Sequence, residues 1–247
     1  MPTAASNHPY DHSMRTIEQL DRCFYPEYDD EHVRFDGMIR RHLRPGAAVL
    51  DAGAGRGVQF PYNYRKHVAR MVGADREPVV LDNANLTEAV LADLGHLPFE
   101  DAEFDLVFSK FVFVHLDRPV LVMRELRRVM KPRAHLLIHT PNRWHYVPLG
   151  ATLTPIRFHV WYTTKLGRDE ADVFPTKYRA NDPKTLERLA ERSGFRIRAL
   201  DLYETKPGYL SFHPLAYRAG IAYERLVNRV EALARFRVNL FADLEAV

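Results

Sequence analysis

Three carboxylates and three glycines carry the first chemical signal. The stretch AAVLDAGAGRGVQF, Ala47 to Phe60, runs from apolar residues into Asp51 and then into Gly53, Gly55 and Gly57 at alternate positions. Glycine lets the backbone pass through positive φ and lets a ligand approach the main chain closely. Asp75 ends the next apolar run, RMVGAD, and Asp93 ends the one after it, AVLAD. A carboxylate at the end of a second strand can accept both hydroxyls of a ribose. One at the end of a third can accept from an exocyclic amine. Taken singly, each carboxylate reads equally as a cap or a surface residue, and one G-x-G-x-G reads equally as a plain strand-to-helix turn. Together they describe a pocket for a nucleoside with a polar tail.

Such a pocket needs parallel strands that all end at one edge, because ligands of open α/β sheets sit beyond the carboxyl ends of the strands. The chain supplies the rhythm. AAVLDAG, RMVGAD, AVLAD, FDLVFSK and HLLIHTP read as buried strands, and a helix is expected from Pro119 to Met130, ended by Lys131-Pro132. Another helix is expected directly after Gly57, with its free N–H groups facing the ligand. Met14 to Leu43 reads as helical, broken near FYPEYDD, with Asp29 or Asp30 as a cap. Residues before about 13 read as polar and frayed. From Pro141 to Arg179 the rhythm stops, and aromatic residues gather: Trp144, Tyr146, Phe158, Trp161, Tyr162, Phe174 and Tyr178. A long insert of that kind suits a lid. Then come a helix capped by Asp182, a strand RIRALDLYE, and a tail helix from Leu215 to Leu240 with Ala219, Tyr223, Leu226, Val230, Leu233 and Leu240 as its apolar stripe. The expected division is a helical cap over 1–44 and a binding domain over 45–247, with the lid at about 143–180.

Composition narrows the classes. The 247 residues are 46% hydrophobic and 27% charged, with net charge +3 and one cysteine. The charge is small and interspersed, and no basic cluster with interleaved aromatics tracks a nucleic acid, so no nucleic-acid partner is expected. Cys23 alone makes no disulfide and no metal cluster, and no metal is expected. No apolar run reaches the roughly 18 residues of a membrane span, no signal peptide is visible, and a cytoplasmic location is expected.

The motifs VLDAGAGRG, GAD, ADLGHLPFEDAEFDLVFSKFVFVHL and RELRRVMKPRAHLLIHTPN resemble those of class I S-adenosylmethionine-dependent methyltransferases, most closely the group that includes ubiquinone and menaquinone methyltransferases. The resemblance covers about Ala47 to Asn142. It implies a Rossmann-like α/β sheet with helices on both faces and an antiparallel last strand, carrying the aromatic lid insertion and a C-terminal amphipathic helix. It implies S-adenosylmethionine as cofactor, with Asp51, Gly53, Ala54 and Gly55 around its methionine part. Asp75 with Arg76 would serve the ribose, Asp93 with Leu94 the adenine, and Ser109 would lie near the methionine amino group. The chain departs from the family at KPRAH, where lysine-proline-glycine-glycine is usual, and in a short Asp75–Asp93 segment that suggests a trimmed helix. A nicotinamide site would place the third glycine one residue later than Gly57, and the Gly-Lys-Ser/Thr of a P-loop is absent.

Transfer of a sulfonium methyl needs alignment, exclusion of water and, for a hydroxyl acceptor, a base. Twelve histidines make any one of them weak evidence. His145, just past the fifth strand, is the first choice as base, at the mouth of an acceptor cavity; the plainer alternative is a lid histidine facing solvent. His115, just past the fourth strand, is the second. His139, inside the fifth strand, reads as packed and hydrogen-bonded. Arg143, Trp144 and Tyr146 share the loop and suit acceptor binding. The signatures of DNA-base amino methylation and a catalytic cysteine for pyrimidine carbon-5 methylation are absent. The acceptor is therefore expected to be a small molecule: a specialised metabolite or sugar-like hydroxyl first, a quinone or lipid-linked acceptor second. Cofactor binding as a non-methylating template for cyclisation is a third reading. The tail helix suits the domain's own surface, a second subunit as in a homodimer, or an anionic membrane surface.

Overall fold

The computed structural model describes residues 9–26, 30–58, 62–153 and 175–247. Seven strands form one sheet: β1 (Ala48–Ala52), β2 (Arg70–Asp75), β3 (Glu88–Leu91), β4 (Phe104–Lys110), β5 (Met130–Pro141), β6 (Phe195–Tyr203) and β7 (Asn239–Ala246). Their order is β3-β2-β1-β4-β5-β7-β6. Strands β1 to β5 pair in parallel, and β7 runs antiparallel to both β5 and β6. The central strands are almost continuous apolar runs because both faces are covered.

Alternation along each strand sends side chains to two cores. On one face Leu50, Val72, Val107 and Leu136 pack with α3 (Pro119–Val129), through Met123 and Leu126, and with α5 (Pro183–Arg192), through Leu186. On the other, Val49, Met71, Leu106 and Leu137 meet α2 (Glu31–His42) through Phe35 and Ile39. Helix α2 starts where the sequence places it: the Asp30 carboxylate accepts from the His32 and Val33 N–H groups, both at 2.9 Å. Burial of Phe35 and Ile39, neither of which retains exposed surface, contributes about 1.5–3 kcal/mol per side chain. Helix α1 (Pro9–Phe24) begins earlier than expected, so the polar segment is helical from Pro9. Its Ile17 and Leu20 pack on Tyr217 and Ile221 of α6 (Pro214–Arg229).

The helix expected after Gly57 does not form among the described residues; residues 62–69 are turns. The carbonyls that would start it are occupied. Asn83 donates its amide to Ala54 O and Gly55 O, at 3.3 and 3.2 Å, and Asn85 donates to Gly57 O at 3.0 Å. Tyr64 is buried in the core of that face instead, its hydroxyl donating to Asp36 of α2 at 2.7 Å. The connection after Asp75 is indeed trimmed, to a 3-10 turn at Pro78–Asp82.

The tail differs too. Helix α6 stops at Arg229, a 3-10 turn follows at Glu231–Phe236, and Leu240 lies inside β7, so the amphipathic helix precedes a strand. Its buried face is Tyr217, Gly220, Ile221 and Val227, whereas Leu226 and Val230 are exposed. Helix α1 and the Pro207–Leu210 turn select that face, Gly220 leaving room for Pro207. At KPRAH, helix α3 ends at Val129 and β5 begins at Met130. Arg133 takes the left-handed φ of 67° that glycine adopts easily, inside an irregularity where β5 shifts register against β4. The segment from Pro141 to Arg179 holds a short helix, α4 (Tyr146–Leu153). Phe158, Trp161, Tyr162 and Phe174 lie outside the described residues, as do residues 1–8 and Asp29.

All three glycines of the turn have positive φ. At Gly53 (φ 89°) a Cβ would stand 2.2 Å from Val112 Cγ2. Gly46 has a similar φ of 88° with nothing within 4 Å. Gly46→Ala therefore isolates the backbone cost, about 1–3 kcal/mol, and Gly53→Ala is expected to lose clearly more in urea denaturation. Equal losses would mean that Val112 moves aside freely.

Candidate active site

Asp51, the glycine turn and Asp75 meet where the sequence predicts, at the carboxyl ends of β1 and β2. Asp75 Oδ2 accepts from the Gly55 N–H and Oδ1 from the Glu77 N–H, each at 2.9 Å. Each oxygen keeps a further lone pair for a ligand hydroxyl. Among the described residues, a Cβ on Gly55 would meet only Asp75 Oδ2, at 4.0 Å, so none of them fills the space over this glycine. Burial, and then the charge of Asp75, push the Asp51 carboxyl up to about 8, with the Lys110 ammonium pulling the other way.

Ser109 is fully buried and donates its hydroxyl to Ala52 O at 2.8 Å, tying β4 to β1 beneath the turn. Asp93 stands two residues past β3 and is exposed, its carboxylate accepting from the Gly95 N–H at 2.7 Å. Leu94 is buried in the core. Arg76 is exposed and pairs with Glu77 at 3.5 Å.

Two groups at this edge went unnoticed in the sequence. Lys110 ends β4 and hydrogen-bonds to Nδ1 of His32, on the first turn of α2. Burial pushes the Lys110 ammonium down to about 8, opposed by the charges of Glu31, Asp30 and Asp51. Burial, reinforced by the Lys110 charge, also holds His32 below the usual imidazole value. Lys110 had a signal, a charge closing the apolar run FDLVFS; His32 had none, since its partner is 78 residues away. Phe111, with a left-handed φ of 58°, turns the chain out of β4 and brings its ring to 5.1 Å from the Lys110 ammonium.

The histidines separate cleanly. His139 is packed in β5 as expected, donating from Nε2 to Asn239 Oδ1 at 2.9 Å, and burial pushes its pKa down to about 3. His145 does not stand at a mouth. It is 1% exposed, with Nδ1 accepting from the Val147 N–H at 3.4 Å and Nε2 set 3.4 Å from Glu204 Oε1. Glu204, at the end of β6, is itself buried, which holds its carboxyl above the usual value. Tyr146 and Tyr223 close over this pair. His115 is half-buried, and its Nδ1 lies 3.0 Å from the Pro175 carbonyl. A carbonyl only accepts, so Nδ1 carries the proton and Nε2 keeps the lone pair. Burial lowers the His115 pKa, and the charge of Arg76 adds to the shift against the Pro175 bond. Arg143 and Trp144 are exposed side by side, the guanidinium 5.4 Å from the indole centre.

Residues 50–138 match the sequence model of a methyltransferase domain family. The ubiquinone/menaquinone biosynthesis C-methyltransferase UbiE of Burkholderia mallei is 27% identical over 196 residues, 71% of this chain and 77% of that protein. The matched domain, this relative and the fold together support a class I S-adenosylmethionine-dependent methyltransferase. Among solved structures, the [4+2]-cyclase SpnF shares the fold with a TM-score of 0.58 at 15% identity, over 100% of this chain and 98% of that one. Geranyl diphosphate C-methyltransferase from Streptomyces coelicolor A3(2) does so with a TM-score of 0.56 at 12% identity, over 99% and 88%.

The methyltransferase's pocket suits its cofactor. A carboxyl held up by burial and a neighbouring carboxylate gains most from an incoming cation, and the methionine part of the cofactor carries an ammonium. No helix among the described residues is long and apolar enough to cross a membrane.

The proton on Asp51 gives a linkage. In the free protein the group is protonated below about 8, and a bound ammonium favours the carboxylate, so binding expels a proton. Affinity for S-adenosylhomocysteine is therefore expected to fall as pH drops below that value, approaching about tenfold per pH unit. Calorimetry from about pH 6 to pH 9 measures it. Lys110 titrates in the same range, and Asp51→Asn, which keeps Lys110, should flatten the profile. A flat wild-type profile would remove Asp51 from the ammonium site. Separately, Asp75→Ala is expected to weaken binding by about 1.5–3 kcal/mol, or more if the Gly55 turn loosens; unchanged affinity would count against a ribose contact.

Proposed function

We propose that this methyltransferase transfers its methyl group to a hydroxyl oxygen of a small molecule, a specialised metabolite or sugar-like acceptor, with His115 as general base. The observation that carries the reading is the imidazole of His115. Its Nδ1 is committed to the Pro175 carbonyl, and its lowered pKa leaves Nε2 free of a proton at neutral pH. The influence of Arg76 on His115 fits a location over the cofactor edge. His145 serves less well than its sequence position suggests, because it is buried against Glu204 and Nδ1 faces a main-chain N–H.

The chain's own parts take these roles in the proposal. Bound S-adenosylmethionine supplies an electrophilic methyl on a positively charged sulfur. Asp51, Gly53, Ala54 and Gly55 hold its methionine part, Asp75 and Arg76 the ribose, Asp93 and Leu94 the adenine. Ser109 acts through the β4–β1 register. His115 accepts the hydroxyl proton as the oxygen attacks in line. Helix α2 caps the site, and Arg143, Trp144 and Tyr146 border the acceptor.

A ring carbon of a quinol, the reduced and phenolic form of a quinone, is the second reading, supported by the Burkholderia relative, whose name is that of a C-methyltransferase. The same base serves it, since a phenolate can attack through oxygen or carbon. Incubation with methyl-labelled S-adenosylmethionine and hydroxylated acceptors separates the readings. A product heavier by one methyl with a methoxy carbon resonance supports the proposal. A C-methyl resonance supports the quinone type, and an isomer of unchanged mass supports templated cyclisation.

His115→Ala is expected to lower kcat by about 100- to 10,000-fold, with S-adenosylhomocysteine affinity nearly unchanged. Wild-type rate should fall as pH drops below the ordinary histidine range, and the variant should lose that dependence. His145→Ala should chiefly lower the melting temperature, since it leaves Glu204 buried without its partner. If His145→Ala instead abolishes kcat in a stable protein, the base is His145.

A further inference from the structure

Far from the cofactor edge, three side chains from three elements converge. His42 is the last residue of α2, His135 lies in the middle of β5, and Asp243 lies in the middle of β7. His42 Nε2 is 3.1 Å from Asp243 Oδ2, and His135 Nδ1 is 2.5 Å from Asp243 Oδ1. The two imidazole rings are 4.0 Å apart, centre to centre. One donor atom from each residue can be chosen so that all lie within 4.8 Å of one another. Six residue steps along β5 lead from His135 to Pro141, about 20 Å at strand rise, so the methyl-transfer chemistry does not use this cluster.

We infer that His42, His135 and Asp243 form a site for one divalent transition-metal ion of the zinc type, which fastens α2 to the sheet. Two imidazole nitrogens and one carboxylate oxygen are the donor set that such ions favour, whereas magnesium and calcium favour oxygen throughout. Donors about 2.0–2.2 Å from zinc in a tetrahedron stand about 3.3 Å from one another, close to the His42–Asp243 separation. The His135 contact is shorter and would have to lengthen for an ion to enter. All three side chains are half-buried, which leaves a path for the ion and a fourth position for water.

Arg40 and Arg41 share the last turn of α2 with His42. His42 sits at the carboxyl end of α2, where the helix dipole is negative. Glu245, opposite His135 in the β5–β7 register, adds an acidic group, largely neutralised by Arg198 and at 3.9 Å by Arg133. The mechanical consequence follows from α2 itself. Its first turn carries His32 against Lys110 at the active-site edge, and its last residue belongs to this cluster. A metal here would fix the far end of the helix that caps the site.

The test uses the full-length, untagged Cys23→Ser protein, so that neither a purification tag nor the exposed thiol competes. Isothermal titration with Zn2+ is expected to show one saturable site. Co2+ should give the visible absorption of a low-coordinate nitrogen–oxygen site. Zn2+ should raise the melting temperature and the hydrogen-exchange protection of Phe35–His42. His42→Ala and His135→Ala should each weaken Zn2+ binding by more than the about 10- to 100-fold typical of outer-shell partners. Both variants should still bind S-adenosylhomocysteine, which reports that they fold. Absence of saturable binding to the wild-type protein, or binding that both variants retain, would overturn the site and leave a carboxylate shared between two imidazoles.

Discussion

Burial of Asp51 beside Asp75 is the constraint around which the active-site edge is arranged. A carboxyl pushed up to about 8 is poorly compensated by protein alone, and only a distant Lys110 charge moderates it. Asp75 accepts two main-chain N–H groups, one of them from the glycine turn. The turn is thus shaped by the Asp75 carboxylate, which accepts from the Gly55 N–H. Asn83 and Asn85, which hold the turn's carbonyls, complete a frame in which both chain directions of hydrogen bonding are settled before any cofactor arrives.

Much of this was legible in the sequence, for identifiable reasons. Strands β1, β2, β4 and β5 are apolar because they are buried on both faces, and such runs stand out in any composition. Asp51, Asp75 and the glycines were legible because they are local: each sits at the end of a run that announces it. Strand β7 was not legible. Asp243 and Glu245 interrupt NLFADLEA, and both are explained only by partners on other elements, His42 and His135 for one, Arg198 for the other. Helical spacing in the tail continued by chance into Leu240. The burial of His145 was hidden for the same reason, since Glu204 lies on a different strand. Among the described residues after Gly57 no helix forms, and the turn's carbonyls are held instead by Asn83 and Asn85, side chains that arrive later in the chain.

Helix α2 covers one face of the sheet. With Phe35 and Ile39 it covers the face of β1, β4 and β5 that the turn residues 62–69 leave open, assisted by Tyr64. Because α2 precedes the sheet in the chain, the covering of one core and the capping of the active-site edge are joined in one element. Stability of that face and the placement of His32 beside Lys110 are therefore coupled: a substitution that loosens Phe35 also shifts the polar groups near Asp51.

Strand β7 enters the sheet between β5 and β6, although it follows both in the chain. A nascent polypeptide that has left the ribosome only as far as Tyr203 already contains every residue assigned above to the cofactor and the base. It still cannot close its sheet. The outer edge of β5 has no neighbour, and β6 has nothing to pair with until Asn239–Ala246 is made. Open strand edges of this kind attract other chains. The interval of synthesis between β6 and β7 is thus when this enzyme most needs a chaperone, and a premature stop before Asn239 would yield a protein lost to aggregation rather than one lacking a catalytic group.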